Sequence, residues 1–293
     1  MNEYLVIVNP AAGRGRVRRE WPRMAQALRN AGVAFEAAET RQPGEAIGLA
    51  ERGAREYSCV VAVGGDGTVH EVVNGLMRAA TGAALGVIPA GSGDDFVKML
   101  PAADPIGRLA RRALRKLDVG RIVADRLCYF ANGMDVGFGA HAARNVKAVP
   151  RFLTGLGAYL GALAITLLRF PALRLRLQLD DQPPFEQATT MTAVMNGRSF
   201  GGSFQVTPQA SAEDGLLDLL VAEQVGRARI LALVPKLMRG SHGGEPDLRM
   251  LRARRVTIES DEPLVVEADG EIVFEHARRL EIELLPGALR VIA

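Results

Sequence analysis

Three glycine-rich stretches carry the residues of this sequence that are best suited to chemistry. Each one directly follows a short apolar run typical of a buried strand. Glycine lets backbone amides approach a phosphate closely, and a helix that begins behind such a loop adds unpaired N–H groups and a positive dipole end. We therefore expect phosphate binding here. The stretches are Asn9–Arg16, Gly64–Thr68 and Pro89–Phe96.

Asp66 lies between two of these glycines. A carboxylate beside bound phosphate is repelled by it unless a metal ion or a hydroxyl proton lies between them, so a carboxylate here suggests one of these two. The alternative is that Asp66 caps the helix expected from Thr68, but the two companion loops favour a functional role. The loops lack the Gly-Lys-Ser/Thr of a P-loop and the Gly-x-Gly-x-x-Gly of a dinucleotide-binding fold, so neither site is predicted.

Alternating strands and helices must position these loops. Short apolar runs predict strands buried on both faces of a parallel sheet, with helices covering it. Because all three loops then fall at the carboxyl ends of strands, we expect them to share one cleft. The predicted strands are 4–9, 33–38, 59–63 and 85–88, and the predicted helices are 17–31, 44–56 and 68–79, with a further helix beginning at Asp95.

The second half of the chain has a different pattern. Residues Leu173–Leu179 alternate strictly between leucine and polar side chains, which predicts a half-buried strand. We expect an α/β domain over residues 1–121 and a β-rich antiparallel sheet or sandwich over 122–293, with the extreme C-terminus as a segment that could pack back on the first domain. The other strands predicted there are 187–196, 215–223, 254–259, 264–268 and 279–285.

Composition limits the class of protein. The chain has 293 residues, 48% hydrophobic and 24% charged, and its only cysteines are Cys59 and Cys128. Two cysteines exclude a disulfide framework and a zinc ribbon. The net charge of +3 does not favour a nucleic-acid partner. No basic segment followed by a cleavable apolar stretch opens the chain, so we expect a cytoplasmic protein.

One apolar segment, Phe152–Leu168, is uncharged between two arginines. Its length touches the lower limit for crossing a bilayer, but Gly155, Gly157 and Gly161 weaken it as an independent helix. We predict no transmembrane span. A helix buried in the second domain is favoured, and a helix partly exposed to lipid is the remaining alternative.

Taken together, the motifs resemble the catalytic domain of the diacylglycerol kinase and sphingosine kinase superfamily, in particular its bacterial soluble lipid kinases. The resemblance covers nearly the whole chain, and ordered motifs at such spacing are specific, whereas Gly-Gly-Asp-Gly alone is shared with NAD kinases and phosphofructokinases. The motifs are Asn9–Pro10, Gly64–Thr68, Pro89–Phe96, Gly201–Gly202, Thr207–Ala210, Asp214–Asp218 and Glu267–Glu271.

The resemblance implies an ATP-dependent kinase of a lipid hydroxyl. It implies that Glu271 is the general base, and that Ser211, Asp214 and Leu216 hold a structural Mg²⁺ through two backbone carbonyls and one carboxylate. Basic residues near phosphate would be Arg14 and Lys98. The implied nucleotide contacts are Asn9, Thr40, Gly64, Gly65, Asp66, Gly67, Thr68, Val69, His70, Gly91 and Ser92.

Elementary chemistry agrees with this assignment. Phosphoryl transfer needs a phosphate-binding loop, Mg²⁺ with a carboxylate such as Asp66, and an acceptor for the proton of the nucleophile. Asp269 and Glu271 flank Gly270, and in an extended stretch their side chains would face the same way. Their repulsion would then raise one pKa and help proton acceptance. The alternative is a solvated Asp-Gly turn between two strands.

Asp94 departs from the family pattern, which commonly has Asn at this position. Its carboxylate would repel ATP unless Asp94 faces away from the nucleotide, binds a second Mg²⁺, or belongs to a protein that handles its phosphate donor atypically.

Two functional hypotheses therefore stand. The leading one is a lipid kinase that uses ATP and Mg²⁺, acts on a diacylglycerol-like, sphingoid or other glycerolipid acceptor, and binds the membrane surface reversibly. The alternative is a nucleotide-binding protein of the same fold that acts on a non-lipid acceptor or is catalytically weak. The sequence leaves the oligomeric state open, a homodimer included.

Overall fold

The computed structural model of the protein describes residues 3–91, 93–102, 104–145, 149, 156–170 and 173–293. The chain forms two compact units. The N-terminal unit contains Met1–Asp118 together with Pro286–Ala293, and the C-terminal unit contains Val119–Leu285. The chain therefore passes from the first unit to the second and returns at its end.

The N-terminal unit is a parallel sheet with helices. Its strands are ordered β2-β1-β3-β4, and the end of the last strand of the chain, β13 (Glu271–Ile292), pairs with β4 in parallel, with Val291 opposite Leu85. A single 3₁₀ turn spans Phe96–Met99. The elements are β1 (Tyr4–Val8), α1 (Ala12–Asn30), β2 (Phe35–Glu39), α2 (Glu45–Glu56), β3 (Cys59–Gly64), α3 (Asp66–Ala79), β4 (Ala84–Pro89) and α4 (Pro105–Arg111).

The buried strands of this unit explain its architecture. Strands β1 and β3 are buried at every residue, as expected for strands covered on both faces. Their side chains form a core with α1 and α4, in which Val6, Val61, Leu28 and Leu109 are almost fully buried. This core fixes the carboxyl ends of β1, β3 and β4, from which the glycine-rich loops emerge.

The C-terminal unit is built mainly from antiparallel strands. The order β11-β10-β9-β7-β12 forms the main path, β8 pairs with both β9 and β12, and β5 pairs with β6. The elements are β5 (Leu114–Val123), β6 (Leu127–Phe130), β7 (Gly133–Gly137), α5 (Phe138–Asn145), α6 (Leu156–Arg169), β8 (Leu173–Leu179), β9 (Phe185–Met195), β10 (Leu217–Glu223), α7 (Arg227–Arg239), β11 (Leu248–Ala253), β12 (Arg255–Ala268) and β13 (Glu271–Ile292).

Strand β8 shows how alternation builds this core. Leu173, Leu175, Leu177 and Leu179 are buried, whereas the arginines between them are exposed. The four leucines join a large cluster that also contains residues of β7, β10 and β12. The period of two in the sequence thus sets which face of the strand turns inward.

The predicted fold class is confirmed: a parallel-sheet α/β unit is followed by a β-rich sandwich-like one. The boundaries differ in places. The helix expected from Asp95 is only a 3₁₀ turn, and β12 is one strand where two were predicted. The elements that the sequence pattern did not predict are α4, β5, β6, β7, α5, α7 and β11.

Helix α6 overlaps the apolar segment Phe152–Leu168, whose first four residues lie outside the described part of the chain. Ala162 and Thr166 are buried, but Leu160 and Leu168 are exposed. The helix is therefore packed on one side and open on the other. Within the described ranges, no helix combines the length and the apolar character needed to cross a bilayer.

Candidate active site

The three glycine-rich loops converge in the N-terminal unit. A Cβ atom on Gly13 would lie 2.7 Å from the carbonyl oxygen of Ala90, and one on Gly65 would lie 3.0 Å from the Cα of Gly91. The amide of Ala90 also donates to the carbonyl of Gly64 at 2.8 Å. The loops therefore pack backbone against backbone, which only glycine permits at these positions.

The second loop opens helix α3 next to the end of β1. Asn9 Nδ2 donates to Thr68 Oγ1 at 3.0 Å, while Asn9 Oδ1 accepts the amide of Ala11 at 3.1 Å. A Cβ atom on Gly64 would lie 2.2 Å from Thr68 Oγ1, so the glycine leaves room for the Thr68 hydroxyl and its hydrogen bond with Asn9. Gly65 is the N-cap of α3 and has no side chain to cap it. The positive end of α3 thus faces the glycine loops without a capping group from its N-cap residue.

Asp66 links the second loop to the third. Its Oδ2 accepts the amide of Asp94 at 2.8 Å, and its carboxylate also accepts the amide of Phe96. It is the first residue of α3 rather than its cap, so the helix-capping alternative is wrong. Burial, followed by the charges of Asp95 and Asp94, raises the pKa of Asp66 to about 6. A bound cation beside this carboxylate would offset its negative charge.

Asp94 turns its carboxylate into its own loop. Its backbone is left-handed, with φ of +50°, and its Oδ1 accepts the amide of Gly91 at 3.0 Å. Burial raises the pKa of Asp94, whereas this hydrogen bond and the charges of Arg16 and Lys98 oppose the rise. The carboxylate therefore occupies one backbone donor of the third loop.

The other residues of this unit that were predicted to contact nucleotide or phosphate lie at several different places. Thr40 follows β2, and its amide donates to the carbonyl of Val8 at the end of β1, at 2.9 Å. His70 is buried, and its carbonyl accepts from Asn74 Nδ2 at 2.9 Å. Lys98 Nζ lies 2.7 Å from Asp95 Oδ1. Ser92 lies outside the described residues. The remaining predicted positions Arg14, Gly67 and Val69 lie on the first and second loops and the first turn of α3.

In the C-terminal unit, Asp269 and Gly270 form the turn between β12 and β13. Both have positive φ, +49° and +90°, as in the type I′ turn of a tight hairpin. Asp269 is only 9% exposed, and its carboxylate accepts three amides, from Ala131 at 2.9 Å, Asn132 at 2.9 Å and Gly133 at 3.1 Å.

The predicted pairing of Asp269 and Glu271 on one surface is therefore wrong. The two residues do not lie in one extended stretch, because the chain reverses between them. Asp269 points into the protein, while Glu271 is exposed at the start of β13. The alternative of an Asp-Gly turn was right about the backbone, but the aspartate is buried rather than solvated.

Glu271 lines a cavity of about 470 Å³ in the C-terminal unit. Arg126 donates to the carbonyl of Val273 and stacks over the ring of Phe274, with 5.0 Å from guanidinium carbon to ring centre. The lining is polar and of mixed charge, which suits the polar end of an amphipathic acceptor. The charged or titratable residues of the lining are Asp125, Arg126, Arg144, Glu271, Glu275 and His276.

A buried carboxyl group that the sequence analysis missed lies beneath this turn. Asp135 is fully buried on β7, opposite Glu267 of β12. Its Oδ2 accepts the amide of Ala140 at 2.5 Å, and its Oδ1 has no partner among the described residues. Burial raises the pKa of Asp135 to about 7. Glu267 in turn accepts the amide of Gly270, so these buried groups support the turn that precedes Glu271.

Of the predicted magnesium ligands Ser211, Asp214 and Leu216, Asp214 contacts a cation of the chain itself. Asp214 Oδ1 accepts the amide of Leu216 at 3.2 Å, and Oδ2 accepts from the guanidinium of Arg252. Arg252 Nε also lies 3.2 Å from Asp218 Oδ1. Among the described residues, no cluster of three or more His, Cys, Asp or Glu could hold a metal. The Asp214 carboxylate is therefore shared between the amide of Leu216 and the guanidinium of Arg252, and a magnesium site at these residues stays a prediction.

Two family models match the chain. Residues 3–122 match a diacylglycerol kinase catalytic domain, and residues 132–293 match a YegS C-terminal NAD kinase beta sandwich-like domain. The chain is 28% identical over 285 residues to a diacylglycerol kinase of Bacillus subtilis, covering 92% of this chain and 90% of that protein. It is 33% identical over 274 residues to a "Probable lipid kinase YegS-like" of Chromohalobacter salexigens, covering 89% and 85%.

Solved structures have the same fold. A protein from Bacillus anthracis that is assigned as a diacylglycerol kinase aligns with a TM-score of 0.80 at 24% identity, over 99% of this chain and 96% of that one. An NAD kinase from Archaeoglobus fulgidus in complex with ATP aligns with a TM-score of 0.54 at 14% identity, over 99% and 93%.

Proposed function

The chain belongs to the diacylglycerol kinase family of lipid kinases, and from this premise we propose that it uses ATP to phosphorylate a lipid hydroxyl. The resemblance predicted from Gly64–Thr68 and the motifs of the second half is confirmed by family matches in both halves of the chain. Kinase activity on a lipid is the function of the family. The phosphate donor, the roles of the individual site residues and the lipid acceptor are our assignments.

The observation that carries the proposal is the convergence of three glycine loops at the start of α3. Backbone amides and the positive end of a helix at one place favour the charge of a polyphosphate. Asn9, Thr40, Gly64–His70 and Gly91 are the contacts we assign to ATP. Arg14 and Lys98 supply positive charge on the same unit.

The reaction assigned to these residues is a direct phosphoryl transfer. The oxygen of the lipid hydroxyl forms a bond to the γ-phosphorus, and the bond from that phosphorus to the oxygen bridging the β- and γ-phosphates breaks. ADP leaves with the electron pair of the broken bond, and the proton of the hydroxyl passes to the Glu271 carboxylate. Glu271 suits this role because it is exposed and lines the cavity, whereas Asp269 is buried.

Asp66 is the carboxylate that we assign to Mg²⁺ near the phosphates. Mg²⁺, when bound, supplies neutralisation of phosphate charge during transfer. Asp66 keeps lone pairs beyond the two amides that it accepts, and its raised pKa reflects a charge without sufficient compensation in the protein alone.

The acceptor assigned to the cavity beside Glu271 is the polar end of a diacylglycerol-like, sphingoid or other glycerolipid. A volume of about 470 Å³ and a lining of mixed charge suit a headgroup with hydroxyls rather than acyl chains. Such an acceptor resides in a bilayer, so the enzyme must bind the membrane surface reversibly.

One observation favours the alternative of a weak or non-lipid nucleotide-binding protein. The carboxylate of Asp94 already accepts the amide of Gly91, at a loop where phosphate is expected. Its negative charge opposes ATP binding unless a cation offsets it.

An assay with γ-³²P-labelled ATP separates these functions. The purified chain is incubated with Mg²⁺ and, in turn, diacylglycerol, ceramide, sphingosine, phosphatidylglycerol and a bacterial lipid extract. We expect one labelled lipid product, lost at least a hundredfold in Glu271→Gln. Glu281→Gln, an exposed glutamate on the same strand, is the matched control and should retain activity. A folded, ATP-binding chain that labels no lipid would overturn the proposal.

A further inference from the structure

Helix α7 presents an apolar face to solvent. Its exposed residues recur at helical spacing, and the largest apolar one, Leu231, is 59% exposed. The opposite face packs against the core through Leu233, which is 4% exposed. The helix is thus apolar on both sides. The exposed positions are Arg227, Ala228, Leu231, Ala232, Pro235 and Arg239.

The cations of α7 fall into two classes. Arg229 and Lys236 lie on the inner side and pair with Glu245, and Arg229 pairs also with Asp247. Arg227 and Arg239 stand at the two ends of the exposed face, and neither has a carboxylate partner in the described part of the chain. The inner cations are therefore paired with carboxylates, whereas the positive charges of Arg227 and Arg239 are not offset by a carboxylate in the described part of the chain.

Helix α6 also has exposed apolar side chains, and it contacts helix α7. Leu160, Ala164 and Leu168 are exposed and recur every four residues, and Leu168, at 68%, is the most exposed large apolar side chain described. The two helices touch where Arg227 donates to the carbonyl of Leu168 at 3.0 Å. Neither α6 nor α7 contains an aspartate or a glutamate.

We propose that the exposed faces of α6 and α7 form a docking surface for an anionic lipid bilayer. Leucines on adjacent helices would insert at the boundary of headgroups and acyl chains, and arginines at the rim would contact anionic headgroups. The absence of acidic residues from both helices favours an anionic surface over a neutral one. We call the exposed residues of the two helices, Leu160, Ala164, Leu168, Arg227, Ala228, Leu231, Ala232, Pro235 and Arg239, the docking face.

The position of the docking face within the C-terminal unit suits a lipid acceptor, and this step rests on the proposed function. Helix α6 packs on α5 through the hydrogen bond from Asn145 Nδ2 to Thr166 Oγ1 at 2.9 Å. Helix α5 carries Ala143 and Arg144, which line the cavity beside Glu271. One helix therefore separates the docking face from the cavity assigned to the acceptor.

The test measures sedimentation of the full chain with vesicles, which needs no kinase activity. Vesicles of phosphatidylcholine alone are compared with vesicles that also contain phosphatidylglycerol. We expect binding to the anionic vesicles, and we expect added salt to weaken it because the arginine contribution is screened. Leu168→Ser with Leu231→Ser should weaken binding about tenfold or more, and Arg227→Gln with Arg239→Gln about tenfold.

Matched controls lie on other elements of the same unit. Met250→Ser removes an exposed apolar side chain of β11, and Arg176→Gln with Arg255→Gln removes two exposed arginines of β8 and β12. These variants should bind vesicles as the wild type does. Circular dichroism and thermal unfolding check that every variant is folded.

The result that overturns the proposal is vesicle binding by the docking-face variants equal to that of the wild type, or no binding by the wild type. Concentration-dependent dimerisation that the two serine substitutions abolish, without vesicle binding, would assign the face to a second copy of the chain. Vesicle binding with no lipid phosphorylation would support the docking face and contradict the proposed function, so the two failures are distinguishable.

Discussion

The guanidinium of Arg252 donates to the carboxylate of Asp214, at the place where sequence reasoning expected a divalent cation. The same guanidinium lies 3.2 Å from Asp218, whose side chain is only 10% exposed. An arginine fork matches carboxylates and carries a permanent charge. The C-terminal unit thus supplies its own cation for these two aspartates.

We predict from this contact that EDTA does not lower the melting temperature of the wild type. Arg252→Met should lower the free energy of unfolding by about 2 kcal/mol, because the buried Asp218 loses its counter-charge. Mg²⁺ should then stabilise the variant more than it stabilises the wild type. Differential scanning calorimetry with and without EDTA measures both effects. A wild type that EDTA destabilises would contradict this prediction and restore the structural magnesium site.

Asp94→Asn should strengthen ATP binding. The amide oxygen of asparagine can still accept the amide of Gly91, whereas the negative charge in the loop is removed. We expect the KM for ATP to fall about fivefold, which corresponds to about 1 kcal/mol of Coulomb repulsion near a protein surface. Steady-state kinetics measure the change, with Asp181→Asn, a 91% exposed aspartate, as the control. A large loss of activity would instead mean that the Asp94 carboxylate is required.

The fall of kcat/KM on the acid side of the pH profile should follow the protonation of Asp66. Its raised pKa of about 6 predicts that kcat/KM falls as the pH drops through about 6, because the protonated carboxyl cannot hold a cation. The charge of Asp94 is one cause of the raised pKa, so Asp94→Asn should move this limb to lower pH. An acid limb that stays in place in Asp94→Asn would contradict the assignment.

Asp66→Asn should be inactive and more stable. A pKa raised on folding means that the contribution of Asp66 to stability is full below its unfolded value near 4 and is lost as the pH rises through about 6. The neutral asparagine avoids this loss. We expect it to exceed the wild type by about 1 kcal/mol at pH 8 and to equal it near pH 4, measured by urea unfolding. Equal stability at both pH values would show that the Asp66 charge is compensated within the protein.

The alternation of strands and helices in the N-terminal half could be predicted from sequence, because strands buried on both faces appear as continuous apolar runs such as Tyr4–Val8 and Cys59–Val63. The meeting of the glycine loops followed from the same rule, since parallel strands end at one edge of a sheet. Helix α7 was missed because its outer face is apolar and Pro235 interrupts its pattern.

The partners of Asp66 and Arg252 could not be predicted, because each contact joins elements that are distant in sequence. Asp66 accepts an amide 28 residues away, and Arg252 reaches an aspartate 38 residues away. At Asp269 the error was local: a period of two was extended through an Asp-Gly pair that reverses the chain.

Substitutions of Asp269 and Glu271 should have different effects: the first should lower stability, and the second should lower activity. Asp269→Asn tolerates the left-handed backbone but loses acceptors for the buried amides of Ala131, Asn132 and Gly133, so we expect about 2 kcal/mol of destabilisation. Glu271→Gln should stay within about 0.5 kcal/mol of the wild type and lose turnover. Urea unfolding and kcat, measured on both variants, check this. A stable but inactive Asp269→Asn would return Asp269 to a catalytic role.

Asp135→Asn should stabilise the protein in a pH-dependent way. The wild-type carboxyl is fully buried, has a pKa raised to about 7 by that burial, and lies opposite Glu267 on the neighbouring strand. Because the folded-state pKa exceeds the unfolded one, its contribution to stability is full below about pH 4 and is lost as the pH rises through about 7. Asparagine keeps an oxygen for the amide of Ala140 and carries no charge, so we expect a gain of about 2 kcal/mol at pH 8 and none at pH 4. Asp135→Ala, which cannot accept that amide, should lose stability at both pH values in the same urea titrations. A gain in Asp135→Asn that does not change with pH would mean that packing, rather than the buried charge, sets the cost of this aspartate.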